Sequence, residues 1–243
     1  MRQQQKGFTL VEIAIVLVII GLLLGGILKG QELINSARVR NLADSTSGIQ
    51  AAYYGFIDRY RRVPGDWAAG AAATAIGASV SGGGNDNGRL DGTGAAAWAE
   101  PNALWEHLSK AGFISGSYTG VNVEPTTNNG GSPFNPFNSA IVMTRSNNYI
   151  DFTNAAPPTR LQLVVGRGTP VDIARELDTK LDDSNPGTGG MRSAFVGATP
   201  LPGGSAWGGT DISCTLPTGA APGAAVAWDV TTDSQDCNAV FLF

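Results

Sequence analysis

At 243 residues with a formal net charge of −4, 15% charged and 42% hydrophobic residues, the chain is too apolar for disorder and too acidic for a general nucleic-acid surface. The length suits one moderate globular domain plus a stem. The 33 glycines and 13 prolines describe a loop-rich domain with many turns.

The N-terminus carries Arg2 and Lys6, then Gly7, then an apolar run from Phe8 to Leu28 interrupted by one hydroxyl, Thr9, and one charge, Glu12. As a helix this run spans roughly 32 Å, about one hydrocarbon core. Cations flank its start, which predicts a cytoplasmic N-terminus and an exported remainder. Glu12 is the anomaly, because a carboxylate within a spanning helix costs ~2–3 kcal/mol and marks function more often than anchoring. A plain anchor would place it in the headgroup layer. A secretory signal peptide would instead need a small-x-small site after the apolar core, whereas the small residue here, Gly7, precedes it.

K-G-F-T-L-V-E, Lys6 to Glu12, followed at once by the apolar run, resembles the leader of type IV prepilins and type II secretion pseudopilins. The resemblance is close from Met1 to about Arg62, with weaker echoes to Asp183. It implies cleavage after Gly7, methylation of the new N-terminus Phe8 and an assembly role for Glu12. Cleavage removes Arg2 and Lys6, taking the net charge from −4 to −6. Many type IV pilins carry a proline in this part of the stem; here Lys29 stands near that place.

Beyond the membrane run the helical pattern continues, with no proline before Pro64. Leu42, Ile49, Ala52, Tyr53, Phe56, Ile57 and Tyr60 form an apolar stripe that should pack on a globular head. Gly21, Gly25, Gly26 and Gly30 are weak points, each costing ~1 kcal/mol relative to alanine, where any bend or melting is expected. Val63-Pro64-Gly65-Asp66 ends the stem. A short alanine-rich helix is predicted over 67–76, a polar glycine loop over 77–94, and a helix over Glu100–Gly112 with an apolar face of Leu104, Trp105 and Leu108. Predicted strands are 140–144, 149–153, 161–165, 191–196, 224–230 and 240–243, with a helix over 171–183. P-G-D, W-E-H-L-S-K-A-G and L-D-T-K-L-D-D also resemble segments of a bacterial prepilin-like subfamily.

Four features invite chemistry. Asn85, Asn87 and Asp91 take EF-hand positions if Gly88 is the sharp-turn glycine, but Gly83 and Gly94 then occupy the first and last ligand positions. The EF-hand match fails, leaving a looser calcium site as an expectation beside a plain Asx turn; no other cofactor is expected. Major pseudopilins carry calcium in a different loop. His107, the single histidine, cannot build a zinc site alone and reads as a surface-helix residue. No G-x-S-x-G elbow supports a hydrolase. Asp172, Glu176, Asp178, Asp182 and Asp183 read as a solvated helix face with a Glu176–Lys180 pair, the alternative being a partner or cation contact. Arg59, Arg61 and Arg62 read as a solvated helix end. Cys214 and Cys237 lie on the exported side, where a disulfide is favoured over two free thiols.

The expected organisation is a leader over 1–7, a membrane and filament-core helix over 8–30, an amphipathic helix over 31–63 and an α+β head with a small antiparallel sheet over 64–243. The resemblance implies a non-enzymatic filament subunit, single-pass in the bacterial inner membrane and then in a pilus or pseudopilus. Its partners would be prepilin peptidase and N-methyltransferase, other pilin or pseudopilin subunits, the inner-membrane assembly platform, and membrane lipid before assembly. The rival is a single-pass anchored binding module or hydrolase that never polymerises.

Overall fold

The computed structural model describes residues 9–92, 96–194, 212–220 and 222–243. Gly7 and Phe8 lie outside the described residues. The chain forms two compact units, one ending at Val39 and one running from Arg40 to Phe243. Helix α1 spans Leu10–Tyr60 and contributes to both. It is unbroken through Gly21, Gly25, Gly26 and Gly30. Four glycines at ~1 kcal/mol each do not interrupt a cooperative helix of this length.

In the second unit the predicted stripe is the packed face of α1. Leu42, Ile49, Ala52, Tyr53 and Phe56 are buried, while Ile57 and Tyr60 are partly so. Phe56 touches the rings of Tyr60, Trp67, His107 and Phe113. The chain then turns through Gly65, whose φ is +91°; a Cβ there would sit 2.5 Å from the Glu100 carbonyl oxygen and 2.7 Å from Leu90 Cδ1. Helix α2 spans Ala69–Ile76 and α3 spans Ala99–Lys110.

A four-stranded antiparallel sheet follows: β1 Val142–Ser146, β2 Arg160–Val164, β3 Met191–Ser193 and the C-terminal β6 Ala239–Leu242, in the order β1-β2-β6-β3. Met143 faces Leu163, and Leu163 faces Phe241. Helix α4, Val171–Leu181, connects β2 towards β3, and β4 (Thr215–Leu216) pairs with β5 (Ala227–Trp228) as a separate ribbon. Both faces of the main sheet are covered. Ile141, Met143, Leu163 and Phe241 pack with α1 and α3, while Val142, Val164 and Val240 pack with Trp98 and Tyr149. Two-sided burial takes polar side chains inside as well: Thr144 of β1 and Gln162 of β2 are fully buried.

Two expectations about strands are corrected. Residues 149–153 form no strand, only a bridge from Tyr149 to Ala194. The partner of this stretch is the turn before β3: Phe152 N–H donates to the Gly187 carbonyl, and Asp151 caps the amide of Thr153. The stretch 224–230 contributes only Ala227 and Trp228, because its partner strand is two residues long.

Candidate functional site

The first turn of α1 is built by its own sequence. Thr9 precedes the helix, and Thr9-x-x-Glu12 closes a capping box. Thr9 N–H and the Thr9 hydroxyl each donate to Glu12 Oε2 at 2.8 Å, and Glu12 N–H reaches Thr9 Oγ1 at 3.3 Å. The box satisfies amides that a helix start leaves orphaned. Its T-x-x-E spacing is legible in the sequence, although the apolar run draws attention away from it.

Behind the box, the large apolar side chains from Leu10 to Leu28 are all exposed, Leu10 by 90% and Leu22 by 73%. Glu12 is the single charge among them. α1 is the one helix among the described residues long and apolar enough to cross a membrane. So large an apolar surface requires lipid or other protein to cover it. A Cβ added at Gly21, Gly25, Gly26 or Gly30 would meet nothing within 4 Å, so no contact among the described residues explains these glycines.

The Asn85–Asp91 loop is organised from outside by Asp66, which is buried and accepts the amides of Asn87 (3.1 Å) and Gly88 (2.7 Å). Asn85 Oδ1 accepts Asn87 N–H, Asn87 Oδ1 accepts Arg89 N–H, and Asn87 Nδ2 lies 3.5 Å from Asp91 Oδ1. Arg62 clasps both oxygens of Asp86 at 2.9 Å, so this end of the basic strip holds the loop rather than standing free. Glu100 accepts Asp91 N–H at 2.7 Å; burial, with Asp66 and Asp91 nearby, pushes its carboxyl up to about 7.

His107 is not a surface residue. It is fully buried, Nδ1 accepts Gly65 N–H at 3.0 Å, and Nε2 faces the Gly82 carbonyl at 3.1 Å. That arrangement requires the neutral ring with its proton on Nε2, and burial lowers its pKa accordingly. One position earlier, buried Glu106 accepts the amides of Ser81 (2.9 Å), Gly82 (2.8 Å) and Gly120 (2.9 Å). Burial pushes this carboxyl up, but the three amides outweigh it and hold it below the ordinary range. α3 is therefore a buried hub whose polar side chains satisfy the backbones of glycine loops.

The acidic helix also differs from expectation. Glu176 and Lys180 pair at 2.6 Å as predicted, but Asp178 is fully buried and accepts the indole N–H of Trp228 at 2.7 Å. Burial, with Asp183 and Asp182 nearby, pushes its carboxyl up to about 6. Cys214 and Cys237 form a disulfide with Cα atoms 5.7 Å apart, tying the start of β4 to the approach of β6.

Residues 2–28 match a family model described as the prokaryotic N-terminal methylation motif, the signature of type IV prepilins and pseudopilins. No curated protein and no solved structure matches the chain significantly. The N-terminus thus carries the type IV prepilin and pseudopilin signature, and the apolar helix behind it fits a single-pass inner-membrane anchor.

Proposed function

We propose that this chain, which opens on the prepilin signature, is a non-enzymatic structural subunit of a type IV pilus or type II secretion pseudopilus. Prepilin peptidase cuts after Gly7, and Phe8 is methylated. The subunit waits in the inner membrane, N-terminus inside and head outside. The assembly platform then extracts it, and α1 exchanges lipid contacts for contacts with neighbouring α1 helices. Residues Gly21, Gly25, Gly26 and Gly30, with no neighbour within 4 Å of an added Cβ among the described residues, suit the close approach of such helices.

The observation that carries this reading is Glu12: the one charge in the exposed apolar segment of α1 from Leu10 to Leu28, five residues after a leader glycine. A simple anchor has no use for it. After cleavage, the α-amine of Phe8, with an ordinary pKa near ~8, is the cation this carboxylate can meet on its own or a neighbouring subunit.

The test compares processed subunit in sheared filaments with processed subunit in membranes. Glu12→Ala removes charge and capping box together. Glu12→Gln keeps the box, since glutamine also serves in it, and removes only the charge. Both variants should insert and be cleaved, and both should lose incorporation sharply. An unchanged ratio for both makes Glu12 an interfacial residue of an anchor and ends the filament reading.

A further inference from the structure

A cavity of about 350 Å³ lies in the head between α1, α3 and the segment that follows α3. Small-molecule sites begin at about that size, with a range of roughly 300–1,000 Å³. Ile49 of α1 and Trp105 of α3 line it, with Phe113, Tyr118, Phe134 and Ile141 completing the apolar walls. Among the described residues, none that lines it is acidic or basic. The cavity lies wholly in the unit that runs from Arg40 to Phe243, so it does not rest on the filament reading.

Two observations point to a ligand. Trp105 is fully buried, yet its indole N–H has no hydrogen-bond partner. A buried donor without an acceptor bears its desolvation cost uncompensated. Gly48, on the exposed side of α1, also lines the cavity. Glycine weakens a helix interior, and a Cβ at Gly48 would meet nothing within 4 Å. Packing among the described residues therefore does not call for glycine there, whereas an unobstructed cavity does. The walls are set in advance. Phe113 packs 5.9 Å from the Phe56 ring and stands against Gly55, where a Cβ would come within 3.0 Å of it.

We propose that this cavity binds a small uncharged aromatic carbonyl compound, whose ring packs among Phe113, Tyr118 and Phe134 and whose oxygen accepts the Trp105 N–H. Aromatic walls favour an aromatic guest through offset and edge-to-face contacts. The indole is a donor only, so its complement is an acceptor that brings no hydrogen of its own, which a carbonyl supplies. An ionised ligand would find no countercharge in the lining and would lose its hydration without recompense.

The test follows the Trp105 indole N–H resonance in the detergent-solubilised full chain, labelled with 15N and sequentially assigned. Acetophenone should move this resonance downfield and saturably. Ethylbenzene, of nearly the same shape but without the oxygen, should bind at least about tenfold more weakly. Gly48→Leu, which adds a side chain at the cavity wall where the Cβ itself is not crowded, should fold and lose the response. No saturable shift with acetophenone, or an unchanged response in Gly48→Leu, overturns the site. Equal binding of ethylbenzene overturns the carbonyl assignment, and this comparison stands on the wild type alone should Gly48→Leu fail to fold. A Trp105 resonance that moves on dilution of the ligand-free chain gives the cavity to a second copy and overturns the small-molecule assignment.

Discussion

Glu106 and Glu100 lie on the same buried helix and titrate in opposite directions. Glu106 collects three loop amides; Glu100 collects those of Asp91 and Asn85, beside the carboxylates of Asp66 and Asp91. Glu106→Ala should leave the buried amides of Gly82 and Gly120, and the more exposed amide of Ser81, without their acceptor and cost about 2–3 kcal/mol, read as a fall in denaturation midpoint. For Glu100 the folded pKa of about 7 exceeds the unfolded one near 4.5. The folded state therefore holds the extra proton, and the resulting stability is present below about 4.5 and lost as pH rises through about 7. Glu100→Gln should remove that slope, gaining stability relative to the wild type at pH 8 compared with pH 5. Parallel slopes for the two proteins over this window would mean that Glu100 titrates as an ordinary surface carboxyl.

At the scale of elements, Phe56 is the centre of the aromatic packing of α1 on the head, and a disulfide ties the C-terminal region. Phe56 is fully buried among four rings, so Phe56→Ala should cost about 3–5 kcal/mol, measured by chemical denaturation. The Cys214–Cys237 bridge spans a separation of 23 residues, worth ~3 kcal/mol in the chain-entropy model. Cys237→Ser should therefore destabilise the oxidised protein to that extent. Two alkylatable thiols in the native chain would remove the expectation. The apolar stripe of α1 was legible because helical period and burial coincide there. The extent of α3's burial was not, because Glu106, His107 and Asn102 are polar, and their acceptance into a core depends on distant loop backbones.

At the scale of the whole molecule, the unit from Arg40 to Phe243 contains both faces of the main sheet, α3 and the packed stripe of α1. A chain beginning at Arg40 should thus fold alone and unfold cooperatively, as followed by near-ultraviolet circular dichroism. A non-cooperative melt would place part of its stability in residues before Arg40. The exposed apolar segment of α1 lies in the other unit, which ends at Val39.

The sequence by itself determined the leader motif, the apolar helix with its one charge, the four helices and the cysteine pair's partnership. Each of these rests on local spacing, local composition or a count of two. Only the tertiary structure decided that the last strand, β6, sits inside the sheet between β2 and β3. It alone also showed that Asp66 organises the Asn85–Asp91 loop, and that His107 and Asp178 are interior. The reason is the same in each case. A polar side chain is buried when a donor or acceptor far along the chain meets it, and no local pattern encodes where that partner will arrive.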